Sequence, residues 1–296
     1  MVRVAAEVRD ALAAGDPVVA LETTLVAHGF PAGEGVAVGL ESERRVRHAG
    51  AVPATVGLLD RGIVVGLTED ELARFDAEAR KIGPRDLAAA AVQGAVGATT
   101  VGGTLAVARS VGIAFMGTGG IGGVHRGWTD VPDISPDLAE LARTRAVVVA
   151  SGAKSILDVR ATAEALETLG IPTLGFGTDT LPLFYSASGG PPVSARVASA
   201  DEAARVASAH WDLGGHGVLV GNPPAESLDG IEELIDLALA EAAGTGVAGQ
   251  QLTPFVLGYL HRESGGRTLA ANRRLVADNA ALAAEIAVTA AGRARQ

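Results

Sequence analysis

Of the 24 Lys and Arg residues in this 296-residue chain, two are lysine, Lys81 and Lys154. Elsewhere arginine supplies the positive charge, and a guanidinium keeps its proton at working pH. An amine can shed its proton when desolvated and attack a carbonyl carbon. Lys154 follows Ser151-Gly152-Ala153 at the end of an apolar run, 146–150. That placement predicts a lysine drawn out of water behind a buried strand, and it makes Lys154 the candidate nucleophile. Glu22 ends a second apolar run, 17–21. It reads as a candidate general acid or base, or else as a solvated strand terminus. Lys81 and the backbone amides near Val101, where Gly102-Gly103-Thr104 starts a predicted helix, suit a phosphate. Asp133 and Asp137 flank another predicted helix start at Ser135-Pro136. The pair suits a hard divalent ion, manganese or magnesium completed by water, or the positive end of the helix dipole.

Other signals are weaker. His125 reads as a ligand or as a satisfied loop histidine, and the other histidines show no metal-ligand spacing. Gly119-Gly120-Ile121-Gly122-Gly123 lacks the surroundings of a dinucleotide fingerprint or a P-loop, and no Gly-x-Ser-x-Gly elbow is present.

The elements that must position these residues alternate along the chain. Apolar runs at 17–21, 54–58, 62–66, 98–101, 113–116, 146–150, 173–176 and 217–220 read as strands. Asp60-Arg61-Gly62 marks a hairpin between the second and third. Helical patterns cover 3–14, 36–48, 136–143, 158–169, 231–243 and 268–291, the last carrying Asn272 and Asn279. Thr68-Glu69-Asp70-Glu71 is a capping box for a helix reaching about residue 80, and Ser199-Ala200-Asp201-Glu202 is a second box. Residues 81–86 read as a loop, 184–196 as an irregular excursion, and Thr253-Pro254 as a helix start. No linker or repeat interrupts the pattern. It predicts one α/β domain over residues 1–296, three layers deep, with helices around a mostly parallel, mixed central sheet. Strand ends that open into glycine-rich loops are where such sheets bind ligands.

Composition narrows the partners. A formal net charge of -10 and 3% aromatic residues argue against nucleic acid as a bulk partner. The absence of cysteine excludes disulfides and thiolate metal sites and fits a reducing cytoplasm. The N-terminus reads as a helix with Glu7 and Asp10 rather than a secretory signal. The uncharged stretch 87–108 is broken by Gln93, Thr99-Thr100 and Gly102-Gly103, and reads as a buried helix–strand–helix passage rather than a membrane span.

Over nearly its whole length the chain resembles the pseudouridine-5′-phosphate glycosidase family, which includes the indigoidine-cluster A proteins. The motifs are Val19-Ala20-Leu21-Glu22-Thr23-Thr24 with His28-Gly29, Gly50-Ala51-Val52-Pro53-Ala54-Thr55, and Gly97-Ala98-Thr99-Thr100-Val101. Stronger still are Thr118-Gly119-Gly120-Ile121-Gly122-Gly123-Val124-His125-Arg126-Gly127, Asp133-Ile134-Ser135, Gly152-Ala153-Lys154-Ser155-Ile156-Leu157-Asp158 and Thr253-Pro254-Phe255. The resemblance implies reversible cleavage of pseudouridine 5′-phosphate by water to uracil and ribose 5-phosphate. It implies Glu22 as proton donor and Lys154 as Schiff-base nucleophile. Lys81, Val101, Ser135, Pro136 and Asp137 would bind substrate, Asp133 would hold manganese, and Asn272 would be a further active-site residue. It also implies a homotrimer. One departure stands out: Gly83-Pro84-Arg85-Asp86 replaces the Ser-Arg-Arg-Asp usual in the family. Two other readings remain open, the same chemistry on another C-glycoside and a non-catalytic phosphate-binding regulator.

Overall fold

The computed structural model describes residues 2–154, 156–247 and 252–295. Its strands are β1 (Val2–Val4), β2 (Val18–Glu22), β3 (Val52–Leu59), β4 (Gly62–Val65), β5 (Arg80–Ile82), β6 (Gly97–Thr99), β7 (Phe115–Gly117), β8 (Val147–Ala150), β9 (Thr173–Phe176), β10 (Ala195–Val197) and β11 (Val218–Gly221). Its helices are α1 (Ala6–Ala14), α2 (Thr24–His28), α3 (Gly35–His48), α4 (Glu69–Leu72), α5 (Leu87–Gln93), α6 (Val101–Val111), α7 (Pro136–Leu141), α8 (Val159–Thr168), α9 (Ala200–Asp212), α10 (Ile231–Gly244), α11 (Leu252–Glu263) and α12 (Arg267–Ala294).

One sheet runs β1-β4-β3-β2-β7-β8-β11-β9-β10, with β6 on β3 and β5 on β6. All pairings are parallel except β3 with β4 and β3 with β6. The central strands are apolar without interruption because both faces are covered. Alternation still sorts the side chains. In β8, Val147 and Val149 join one core while Val148 and Ala150 join the other; in β2, Val19 and Leu21 oppose Val18 and Ala20. The first face packs on α3, α9 and α12 through Val46, Ala203 and Ala283. The second packs on α1, α6, α7, α8 and α10 through Val8, Leu105, Leu138, Leu166 and Ile235. Each valine side chain so buried contributes roughly 1.5–3 kcal/mol of transfer free energy. These are the expected three layers.

Four expectations are corrected. Residues 3–14 are not one helix: β1 pairs in parallel with β4, and α1 begins at Ala6. Val2 and Val4 are β-branched and lie beside the open edge of β4, where pairing outweighs a weak helical pattern. The capping box at Thr68 and Glu71 forms, but α4 stops at Leu72. Leu72 and Phe75 both turn into the core, and the chain then leaves the helix to run beside β6. Lys81 therefore sits on β5, opposite Ala98, and not in a loop. The departure at residues 83–86 falls after that strand, in a short 3₁₀ turn. The excursion at 184–196 also ends in a strand, β10, which pairs with β9.

Helix α12 is long and apolar enough to cross a membrane by length and composition alone. Its residues Asn279, Ala280, Ala283, Ala284 and Ile286 are wholly buried, so it serves as the central core helix of this fold. Residues 87–108 form α5, β6 and the start of α6, as expected.

Candidate active site

The sheet order reverses beside β2: the chain passes from β2 to β3 on one side, and β7 lies on the other. Such a switch point leaves a crevice at the carboxyl ends of the strands. Glu22 ends β2 there and is 7% exposed. Thr118, just past β7, donates its hydroxyl to Glu22 Oε1 at 2.5 Å. Burial pushes the Glu22 carboxyl above the usual glutamate range, and the positive charge of Lys154 and the Thr118 hydrogen bond only partly offset it. A carboxyl whose proton affinity is raised in this way is better suited to donate a proton than an exposed one.

Lys154 follows β8. Its loop is laced to the glycine loop after β7: Ile121 N–H donates to Gly152 O at 3.1 Å and Lys154 N–H to Ile121 O at 3.0 Å. The two motifs singled out in the sequence thus act as one pair of antenna-like loops above neighbouring strands. Ser155 of the lysine motif lies outside the described residues.

Lys154 and Lys81 stand between two connected lobes. The smaller lobe, of about 60 Å³, is lined by Glu22, Leu25, Thr118, Ile156, Phe184 and Asn272 with both lysines. The larger, of about 400 Å³, is lined by Asp86, His125, Asp133, Ser135, Pro136 and Asp137 with the same lysines. Burial and the neighbouring Lys154 charge pull the Lys81 ammonium below the usual lysine range, against the attraction of Asp137, Glu22 and Asp133.

The larger lobe is polar by construction. Ser135 caps α7, its hydroxyl accepting from Asp137 N–H, and Pro136 takes the first helical position. Asp137 is 4% exposed. Its Oδ1 accepts from Gly102 N–H at 2.8 Å and its Oδ2 from Gly122 N–H at 2.9 Å. A Cβ on Gly122 would stand 2.2 Å from Ser135 Oγ, so only glycine lets the loop approach this closely. In the first turn of α6, Gly102 N–H is taken by Asp137 and Gly103 N–H by the Thr100 cap. The Val101 N–H is left without a protein acceptor among the described residues, as an anion site needs.

A metal fits this lobe in one way. Among the described residues no three His, Asp or Glu groups converge as a ready cage. Each Asp137 oxygen accepts one backbone amide, which fixes the carboxylate and leaves each oxygen one lone pair. Asp133 has its side chain 47% exposed and its Oδ2 4.0 Å from His125 Nδ1. That buried ring nitrogen has no hydrogen-bond partner. One carboxylate oxygen in a wet polar lobe suits magnesium or manganese held mainly through water.

Asn272, on α12, lines the smaller lobe and donates to Gly29 O at 3.4 Å. Two turns later on the same face is Asn279, 0% exposed. Its Nδ2 donates to Thr118 O at 2.8 Å and to Ser151 Oγ at 3.1 Å, and its Oδ1 accepts from Asn222 Nδ2 at 2.9 Å. It ties together the ends of β7, β8 and β11. The structure places the expected residues Glu22, Lys81, Asp133, Ser135, Pro136, Asp137, Lys154 and Asn272 around these two lobes, while Val101 is wholly buried behind Thr100 and lines neither. Thr118, Asn279 and Phe184 were not singled out as site residues. An asparagine two turns from Asn272 on a helix of alanines was the available signal for Asn279.

Fold and site define an α/β protein with a lysine, a buried carboxyl and a polar anion lobe at the carboxyl ends of its strands. Residues 7–289 match the family model described as "Indigoidine synthase A like protein", and the chain belongs to that family. Among its relatives, a pseudouridine-5′-phosphate glycosidase of Streptomyces griseus is 49% identical over 97% of this chain and 91% of its own length. One from Nocardioides sp. is 46% identical over 97% of this chain and 95% of its own length. The prealnumycin C-glycosynthase AlnA, solved in complex with ribulose 5-phosphate, superposes with a TM-score of 0.90 at 40% identity, covering 100% of this chain and 99% of its own. An indigoidine synthase A-like protein of Thermotoga maritima superposes with a TM-score of 0.86 at 38% identity, covering 97% and 96%.

Proposed function

We propose that this chain cleaves the C-glycosidic bond of pseudouridine 5′-phosphate reversibly, giving uracil and ribose 5-phosphate. The observation that carries the reading is the sharing of one cavity by Lys154 and the buried Glu22, whose carboxyl burial pushes above the usual glutamate range. The glycosidase relatives and the phosphosugar-bound C-glycosynthase support the substrate class.

The chemistry explains the residues. A C–C glycosidic bond offers no easily protonated leaving atom, so a pair of carboxylates is poorly suited to it. Glu22 protonates the ribose ring oxygen, and the ring opens. The Lys154 nitrogen bonds to C1′. As the uracil carbon takes up a proton, the nitrogen lone pair forms the iminium and the C1′–C5 bond breaks. Water then hydrolyses the iminium to ribose 5-phosphate and restores the amine. Arginine cannot perform these steps, which accounts for lysine at position 154.

Lys81, the Val101 N–H and Ser135-Pro136 would hold the phosphate, and Asn272 would contact the reacting end of the substrate. Asp137 shapes that lobe by fixing the starts of α6 and the glycine loop. Asp133 would hold a manganese or magnesium ion through one oxygen, and the ion would supply positive charge beside the phosphate. Three copies of the chain would form the trimer that the family resemblance implies.

Turnover of pseudouridine 5′-phosphate, compared with unphosphorylated pseudouridine, tests the reading. Release of uracil from the phosphate, with at least a hundredfold lower kcat/KM for the nucleoside, is expected. No release from either rejects it. The same chemistry on a larger aromatic C-glycoside, as the C-glycosynthase neighbour favours, would appear as preference for that aglycone.

A further inference from the structure

Among the described residues, three that are not glycine hold a positive φ: Asp60, Arg61 and Phe184. Asp60 and Arg61 make the two-residue turn between β3 and β4, where that geometry is ordinary. Phe184 has no such excuse. At φ 64° its Cβ crowds the adjoining carbonyl, a conformation phenylalanine avoids. Residues held this way gather where a ligand is gripped, and the surroundings must enforce them.

The enforcement is present. Phe184 N–H donates to Ser151 O at 2.9 Å and Leu183 N–H to Ser186 O at 2.9 Å, while Leu183 bridges Gly152. The segment is thereby stitched to the loop that carries Lys154. The Phe184 ring lies against Gly120, where an added Cβ would stand 2.7 Å from Cδ2. Tyr185 meets it edge-on at 4.7 Å and 87°, fixing its plane. Phe184 is the one Phe, Tyr or Trp side chain lining either lobe among the described residues. It belongs to the smaller lobe, with Glu22 and both lysines, and does not line the lobe of Ser135, Pro136 and Asp137.

We propose that Phe184 is the stacking wall for the departing base and the residue that selects a flat aglycone. This rests on the reading above and names the base-side determinant of the same site. A rigid aromatic face rewards any planar ring laid on it and leaves the sugar phosphate untouched. Base and phosphosugar are therefore separable in experiment.

The test uses the intact protein in the synthetic direction, with Phe184→Leu, Phe184→Met and Phe184→Tyr. Borohydride trapping with ribose 5-phosphate alone reads the sugar half, and the KM for uracil reads the base half. The Leu and Met variants are expected to form the adduct at the wild-type rate while the uracil KM rises about tenfold or more. Phe184→Tyr, which keeps a flat ring, is expected to hold KM within threefold. Unchanged uracil KM in the Leu and Met variants overturns the proposal. Loss of the adduct in both also overturns it, because the ring would then be a structural prop. A wild-type chain that forms no adduct overturns the imine reading itself, an outcome distinct from either.

Discussion

Thr118 and Glu22, 96 positions apart in the chain, are joined by a 2.5 Å hydrogen bond from the threonine hydroxyl to Oε1. The bond leaves Oε2 as the oxygen able to present a proton to substrate. It also lowers the proton affinity that burial raises. Thr118→Val is therefore expected to move the alkaline limb of the kcat–pH profile upward, since the carboxyl keeps its proton to higher pH. A hydrogen bond to a charged group is worth about 1.5–3 kcal/mol, so the limb should move by about one unit or more. Thr118→Ser should restore the wild-type profile. The groups that face Glu22, namely Lys154, Lys81 and Asp137, are unaltered in both variants.

Burial of Glu22 also costs stability. Its folded-state proton affinity exceeds that of the unfolded chain, so its contribution is fully present at low pH and is lost as pH rises through the folded pKa. Glu22→Gln should raise Tm at pH 8 by about 2 °C or more, and the gain should vanish near pH 4, where both states carry the proton. Thermal unfolding at the two pH values checks this. Turnover should fall by about a thousandfold or more, as loss of a general acid requires.

In the proposed reading Lys81 would hold the phosphate as an ammonium, and burial with the neighbouring Lys154 charge holds that ammonium below the usual lysine range. The KM for the phosphorylated substrate should therefore rise on the alkaline side earlier than for an ordinary lysine. Lys81→Arg keeps its charge and should flatten that rise, while Lys81→Met should raise KM at every pH. Steady-state kinetics between pH 6 and 10 measure the difference.

Asn279 is wholly buried and fills its hydrogen-bonding capacity with protein groups. Asn279→Leu would strand Thr118 O and the Asn222 amide, at a cost of about 1–3 kcal/mol for each buried group left unpaired. Urea unfolding should show the loss. Asn279→Asp, of nearly the same shape, also loses the donor to Thr118 O and Gly119 O and should destabilise at least as much.

Metal binding has its own readout. Manganese titration followed by electron paramagnetic resonance should show one ion per chain, weakened about tenfold or more by Asp133→Asn. Equal binding by the two proteins would remove Asp133 from that role.

Much of this arrangement is legible in residue order because it is local. Thr173–Phe176, the Ser135 cap with Pro136, the Asp158 cap of α8 and the Ser199 cap of α9 follow from apolar runs and capping chemistry within a few residues. The three-residue strands β1, β5 and β10 are too short to carry a period and exist only through their partners β4, β6 and β9. The site divides in the same way. Lys154, Glu22 and Asp133 announce themselves by residue type and by position at the end of an apolar run or beside a helix start. Thr118, Asn279 and Phe184 have side chains common in any core, and only folding shows that they touch the carboxyl, the strand ends and the cavity.

The central claim is covalent chemistry at one nitrogen. Incubation with ribose 5-phosphate and borohydride, followed by peptide mass spectrometry, tests it most directly. The expected result is a reduced pentose-phosphate adduct on the peptide bearing Lys154, absent from a folded Lys154→Arg variant that has also lost turnover. An adduct on Lys81 alone, or full turnover in Lys154→Arg, would contradict it.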